Sequence, residues 1–253
     1  VISGDSSVES MMYKGVKYLD DRAREDYEWL VKNKYDLEID NIGYENIHYL
    51  YTRSFYTDIK FDLNDEKAFQ YWKGQAAKYW VKKSRYMQGL IAVGLNRFGE
   101  SKTANEIVRS LKENSVMNEE LGMYWLDNTT GYYWYQAPVE TQALLIEAFS
   151  EVAGDIDSVE SMKVWLLKNK QTTSWKTTKA TADACYALLL RGTDWLMKEN
   201  ETEIKVGDIT INPSLQKDLQ QEAGNGYFKT SWSGNEIREN MGNITVTRKE
   251  AGV

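Results

Sequence analysis

The chain has 253 residues, enough for one large domain or for a medium domain with a further piece attached. Its formal net charge of −7 is spread along the sequence without a basic stripe, which argues against nucleic acid as a partner. One cysteine and one histidine exclude an internal disulfide, a cysteine-rich zinc site and a histidine-based metal centre, and no cofactor is expected. No apolar run reaches the ~20 residues of a membrane helix, so no membrane contact is expected. The opening "VISGDSSVES" has neither the basic nor the apolar part of a signal peptide. Two prolines disfavour long linkers and favour helix. The sequence opens on Val1 and stops in strand-like "TRKEAGV", as a piece of a longer protein would.

From Val8 to about Asn200 the apolar residues recur at helical spacing. "VESMMYKGVKYLDDRAREDYEWLVKN" places Met12, Val16, Leu19 and Ala23 on one face, with charges between them. "NIGYENIHYLYTRSFY" follows, and then "DEKAFQYWKGQAAKYWVKK" aligns Phe69, Trp72, Ala76 and Trp80. "SRYMQGLIAVGLNRFGE" is far more apolar and ends at Gly99, a helix-stop signal. "SKTANEIVRSLKENS" is amphipathic again. In "GMYWLDNTTGYYWYQAP", Met123–Leu126 and Tyr132–Gln136 are expected to pair as a hairpin about a turn at Asp127–Gly131. Pro138 suits the first turn of the next helix. That helix, "VETQALLIEAFSEVAG", is apolar and ends at Gly154; amphipathic "SVESMKVWLLKNK" follows. Apolar "TTKATADACYALLLRG" ends at Gly192.

Charged amphipathic helices thus alternate with more uniformly apolar ones. "SVESM" occurs twice, at Ser7–Met11 and Ser158–Met162, each time opening an amphipathic helix. A two-helix period of roughly 40 residues indicates a repeat architecture. The expected fold is mainly α: an α/α toroid of alternating inner and outer helices over residues 1–200, with a short hairpin insertion. An open solenoid is the other form that fits. After Asn200 the period changes to two, so residues 201–253 are expected to begin a β domain. "EIKVGDITINP" is a hairpin candidate turning at Gly207-Asp208, and "GYFKTSWSG" and "GNITVTRKE" are further strands.

No catalytic constellation emerges. Cys185 lies in an apolar helix, where free cysteine acts as a small hydrophobe. A cysteine thioester needs glutamine three positions on, and position 188 is Leu. His48, among Tyr49 and Tyr51, is expected to be a hydrogen-bonded or surface residue. Glu140 and Asp183 each fall in the first turn of an apolar helix, where the helix dipole favours an acid. The alternative is a carboxylate pair in the mouth of a toroid, as a carbohydrate-active enzyme would use. Trp134, Tyr135 and Trp175 either stack on sugar rings or fill element ends. Gly224, Gly226 and Gly234 are turn glycines without phosphate-loop spacing. A third reading is a helical scaffold that binds a protein partner through the aromatic segment Met123–Gln136.

The run "YWYQAPVETQALLIEAFSEVAGDIDSVESMKVWLLKNKQTTSWKTTKATADACYALLLRGTDWL" resembles the closing helices of the thioester domain in the alpha-2-macroglobulin and complement family. Val139-Glu140-Thr141 matches that pattern's opening of an apolar helix. Val164-Trp165-Leu166 with Asn169-Lys170 matches its outer helix. Trp175, Thr177, Thr178, Ala180 and Thr181, then Tyr186–Leu190, match the turn and the last apolar helix. "RYMQGLIAVGLNRFGESKTANEIVRSLKENSV" is similar to the preceding inner–outer pair, and the likeness covers most of Ser84–Val253. The absence of mammalian-style glycines around Trp175 suggests a bacterial member.

This resemblance implies an α/α toroid followed by a β-sandwich domain. It implies part of a surface, periplasmic or extracellular endopeptidase inhibitor that entangles proteases after bait cleavage. Its partners would be proteases, through the parent, and other domains of the same chain. The family's Cys-Gly-Glu-Gln is absent; by the order of elements it and the bait would lie upstream of Val1. No functional residue is carried over, and the segment itself is expected not to be an enzyme.

Overall fold

The computed structural model describes residues 9–132, 136–170, 175–190, 202–211 and 230–248. By its internal contacts the chain divides into two units, one ending at Leu190 and the other beginning at Arg191. Among the described residues the first unit holds α1 (Glu9–Lys32), α2 (Tyr44–Arg53), α3 (Leu63–Tyr79), α4 (Arg85–Arg97), α5 (Ser101–Glu113), α6 (Pro138–Ala148), α7 (Ile156–Lys168) and α8 (Thr178–Leu189).

The fold is mainly α, with inner and outer helices alternating as in an α/α toroid. The even-numbered helices make the inner row: α2 packs on α4, α4 on α6 and α6 on α8. The odd-numbered helices lie behind them. The sequence dictates this sorting. On α5 only Ala104, Ile107, Val108 and Leu111 are buried, the i, i+3, i+4, i+7 stripe of a helix with one wet face. On α4 every residue from Gln88 to Leu95 is buried, and on α6 every residue from Glu140 to Ala148. Such helices have no solvent face and must be covered on several sides. Gly89 lets α4 and α6 approach closely: a Cβ there would stand 3.1 Å from the side chains of Leu144 and Leu145.

The helix ends follow the local chemistry. Ser84, Asp155 and Thr177 cap α4, α7 and α8 by accepting from the N–H of Met87, Ser158 and Ala180. Pro138 occupies the first turn of α6, where its missing N–H leaves nothing unpaired. A π turn at Phe149–Ala153 extends α6, and Gly154 stops it with φ +60°. Three buried indoles tie elements together: Trp72 Nε1 donates to the Ala23 carbonyl, Trp125 Nε1 to Leu111 and Trp175 Nε1 to Leu166. Arg53, fully buried, donates to Asp20 at 3.0 Å and to the carbonyls of Tyr56 and Ile59, which joins α1, α2 and the following loop. Burial pushes the Asp20 carboxyl above its usual range, against hydrogen bonds from Tyr49 and Arg53.

A hairpin forms on the upstream side of Met123. β1 (Val116–Asn118) pairs antiparallel with β2 (Gly122–Tyr124), matching Met117 to Met123. Asn118 Oδ1 accepts from the N–H of Glu120 and Leu121 and builds the turn, and Gly122 closes it at φ +76°. Met123 and Trp125 are then buried under α6, where the Gln142 amide donates to the Met123 carbonyl. The expected partner strand Tyr132–Gln136 falls largely on residues 133–135, outside the described residues.

In the second unit β3 (Thr202–Val206) and β4 (Ile209–Ile211) form the expected hairpin, with Gly207 at φ +60°. β5 (Ile244–Arg248) pairs antiparallel on the other side of β3, giving the order β4-β3-β5. Val206, Ile211 and Met241 form its small core with Ile204 and Trp232 beside them. Of the expected strand "GYFKTSWSG", residues 226–229 lie outside the described residues, and Thr230–Gly234 is not strand: it ends in a turn where Ser233 bonds the Glu236 carboxylate.

Gly122 and Gly99 separate backbone freedom from close packing. Both have positive φ, but a Cβ on Gly122 would collide with the Ser161 carbonyl oxygen on α7, whereas Gly99 faces open space. Gly99→Ala is expected to lower stability by about 1 kcal/mol and Gly122→Ala by about 3 kcal/mol or more, measured by urea unfolding. Equal losses would contradict the packed β2–α7 contact.

Candidate functional site

One face of each inner helix opens on a common cavity of about 220 Å³. Tyr51 comes from α2, and Tyr86 and Leu90 come from α4. From α6 come Glu140, Ala143, Leu144 and Glu147; from α8 come Lys179, Asp183 and Tyr186. On α4, α6 and α8 these positions follow the i, i+3, i+4, i+7 spacing of one helix face.

The acids stand in different environments. Glu147 is buried and accepts from the Tyr51 hydroxyl at 2.8 Å and from Arg97 at 2.8 Å. Burial raises its pKa, and the Tyr51 and Arg97 bonds work against that rise. Arg97 also bonds Glu151 at 2.6 Å, and its guanidinium lies against the rings of Tyr51 and Phe55. Asp183 pairs with Lys179 at 2.6 Å, one turn away on α8. Burial works to lower the Lys179 pKa, but the Asp183 bond and the charges of Asp183 and Glu140 raise it above the ordinary value. Lys179 is therefore a cation. Its Nζ lies 5.7 Å from the centre of the Tyr86 ring. Glu140 is 8% exposed, and its one hydrogen bond among the described residues is a long one, 3.4 Å from the Thr177 hydroxyl. Burial raises the pKa of Tyr51, Tyr86 and Tyr186, so all three are neutral phenols.

The structure thus brings Glu140 and Asp183 to one cavity. Glu140 occupies the first turn of α6, as its position suggests. Asp183 does not occupy the first turn of α8; it sits in the second and answers Lys179, because the helix begins only at Thr178. Cys185 is exposed, not core filler. The buried stripe of α8 is Ala180, Ala184 and Ala187, and Cys185 lies beside it with Tyr186 and Leu189, both half exposed. Trp175 is buried with its N–H committed to Leu166, so it fills the end of α7 and offers no ring to a sugar. Trp134, Tyr135, Gly224 and Gly226 lie outside the described residues, and Gly234 faces open space.

Sequence reasoning missed Glu147, Lys179 and the three tyrosines. A signal existed for two of them: Glu147 is an acid seven residues beyond Glu140 on an otherwise apolar helix, and Lys179 precedes Asp183 by one turn. Among the described residues no three His, Cys, Asp or Glu side chains are grouped to hold a metal ion. No helix there is long and apolar enough to cross a membrane. No protein-family model matches the chain, and no curated protein matches its sequence.

His48 lies behind the cavity wall, with ring centres 4.2 Å from Tyr44 and 6.0 Å from Tyr86. Burial, and then the charge of Lys179, lowers its pKa to about 4. The neutral ring is favoured by folding, so its contribution is complete above pH ~6.5 and is lost as pH falls through about 4. His48→Phe is expected to remove on the order of 1 kcal/mol of the acid-side loss, the full shift being discounted because the ring is only partly buried. The check compares unfolding free energies of both proteins at pH 7 and pH 4; identical pH dependence would refute it.

Proposed function

We propose that this chain belongs to a bacterial alpha-2-macroglobulin-like endopeptidase inhibitor. It would form the later helices of the thioester-type helical domain and the start of the next β domain. Its role is that of a non-catalytic scaffold within a protease trap at the cell surface, in the periplasm or outside the cell. The observation that carries this reading is the placement of the family-like residues. Val139-Glu140-Thr141 opens α6, Thr177-Thr178 opens α8, and the Thr177 hydroxyl reaches Glu140, so the two segments meet at the same end of adjoining inner helices. Trp175, between them in the pattern, seals the turn through Leu166. Alternating inner and outer helices also agree with it.

The test uses the longer protein in which this segment would reside. After brief exposure to trypsin, small chromogenic substrates should still be cleaved while large protein substrates are protected. Unhindered digestion of the large substrates would sink the inhibitor reading.

A second reading has one observation in its favour: Glu140 and Asp183 line one cavity together with tyrosine rings. A carbohydrate-active enzyme could use such a pair. The Lys179 ion pair on Asp183 weighs against a free carboxylate there. A glycan turnover screen of the native chain, Glu140→Gln and Asp183→Asn decides between them. The scaffold reading expects no turnover in any of the three; hydrolysis abolished by either variant would establish the enzyme.

A further inference from the structure

We propose that the cavity between α4, α6 and α8 binds a small organic ammonium ion with apolar substituents, its charge toward Glu140 and its substituents against the tyrosine rings. The charges in the wall do not balance. Glu147 is answered by Arg97 and Tyr51, and Asp183 by Lys179. Glu140 is left. It is more than nine-tenths buried and faces the cavity, and its Oε2 makes no hydrogen bond among the described residues. A carboxylate at the edge of a cavity, with one long hydrogen bond and a shared cation, favours a further cation beside it.

The rings select the same charge. Lys179 already lies over Tyr86, and Arg97 over Tyr51, each 5.7 Å from the ring centre. Tyr186, half exposed at the cavity edge, holds no such cation among the described residues. Neutral phenol faces beside a carboxylate are the surroundings in which alkylated ammonium groups are recognised. The remaining wall, Leu90, Ala143 and Leu144, offers methyl groups and no acceptors. It suits methyl substituents and not the five donors of a guanidinium. A metal ion is disfavoured because the carboxylates do not converge.

Choline chloride is the probe, and 3,3-dimethylbutan-1-ol, its uncharged carbon isostere, is the control. Binding is followed through the NMR signals of the Leu90, Ala143 and Leu144 methyls. Choline should shift these signals saturably, and the isostere should bind at least ~10-fold more weakly. Glu140→Gln should weaken choline binding by ~10-fold or more while leaving the isostere unchanged, and Tyr186→Ala should weaken choline by a few-fold. Should Glu140→Gln fail to fold, the isostere comparison and Tyr186→Ala, a half-exposed position, still decide. Equal affinity for the two compounds, shifts that do not saturate, or choline binding unaffected in folded variants would overturn the proposal.

Discussion

The structure of the helical unit depends on the absence of any solvent-facing side on α4 and α6. A helix buried across eight or nine consecutive residues cannot lie on a surface; it needs neighbours on several sides. The flanking inner helices α2 and α8 and the outer helices behind provide them. Gly89 permits the close approach, since a Cβ there would stand 3.1 Å from the side chains of Leu144 and Leu145 on α6. Amphipathic α5 and α7 can then be outer helices, with one stripe on the inner row and the rest in water.

The same burial determines what happens to polar groups on those helices. Gln142 spends its amide on the Met123 and Met162 carbonyls and so anchors the hairpin and α7 to α6. Glu147 is held by Tyr51 and Arg97, which ties α6 to α2 and α4. Each is a polar residue in an apolar helix that earns its place by joining two elements. Glu140 is different, because its one bond among the described residues is a long one and its other side is a cavity. That contrast, more than the presence of an acid, marks the cavity as a place for chemistry.

Several features were legible from local pattern alone. The stop signals at Gly99 and Gly154, the start at Pro138 and the turn at Gly207 lie where the sequence puts them, because each depends on the conformational range of one residue. The faces of α1 and α3 were legible for the same kind of reason: Val16, Ala23, Phe69, Trp72 and Ala76 are buried at helical spacing, while Met12, Leu19 and Trp80, the last just beyond α3, are half-buried. Pairing was harder. Met123 pairs upstream with Met117 through the turn that Asn118 and Gly122 build, and Val116–Asn118 carries no strand pattern of its own. Cys185 is exposed although its helix is apolar. The described unit packs α8 along the Ala180–Ala184–Ala187 stripe, and Cys185 is off it.

By itself the sequence determined the helical class, the alternation of apolar and amphipathic helices and the change to β periodicity near residue 200. These follow from periodicity, composition and single-residue stereochemistry, all of which act within a few residues. Only the tertiary structure decided that Tyr51, Tyr86, Glu140, Glu147, Lys179 and Asp183 share one cavity, since their helices are separated by long stretches of chain. It also decided which acids are answered, because an ion pair such as Arg97–Glu147 spans 50 residues and is a matter of distance, not of pattern.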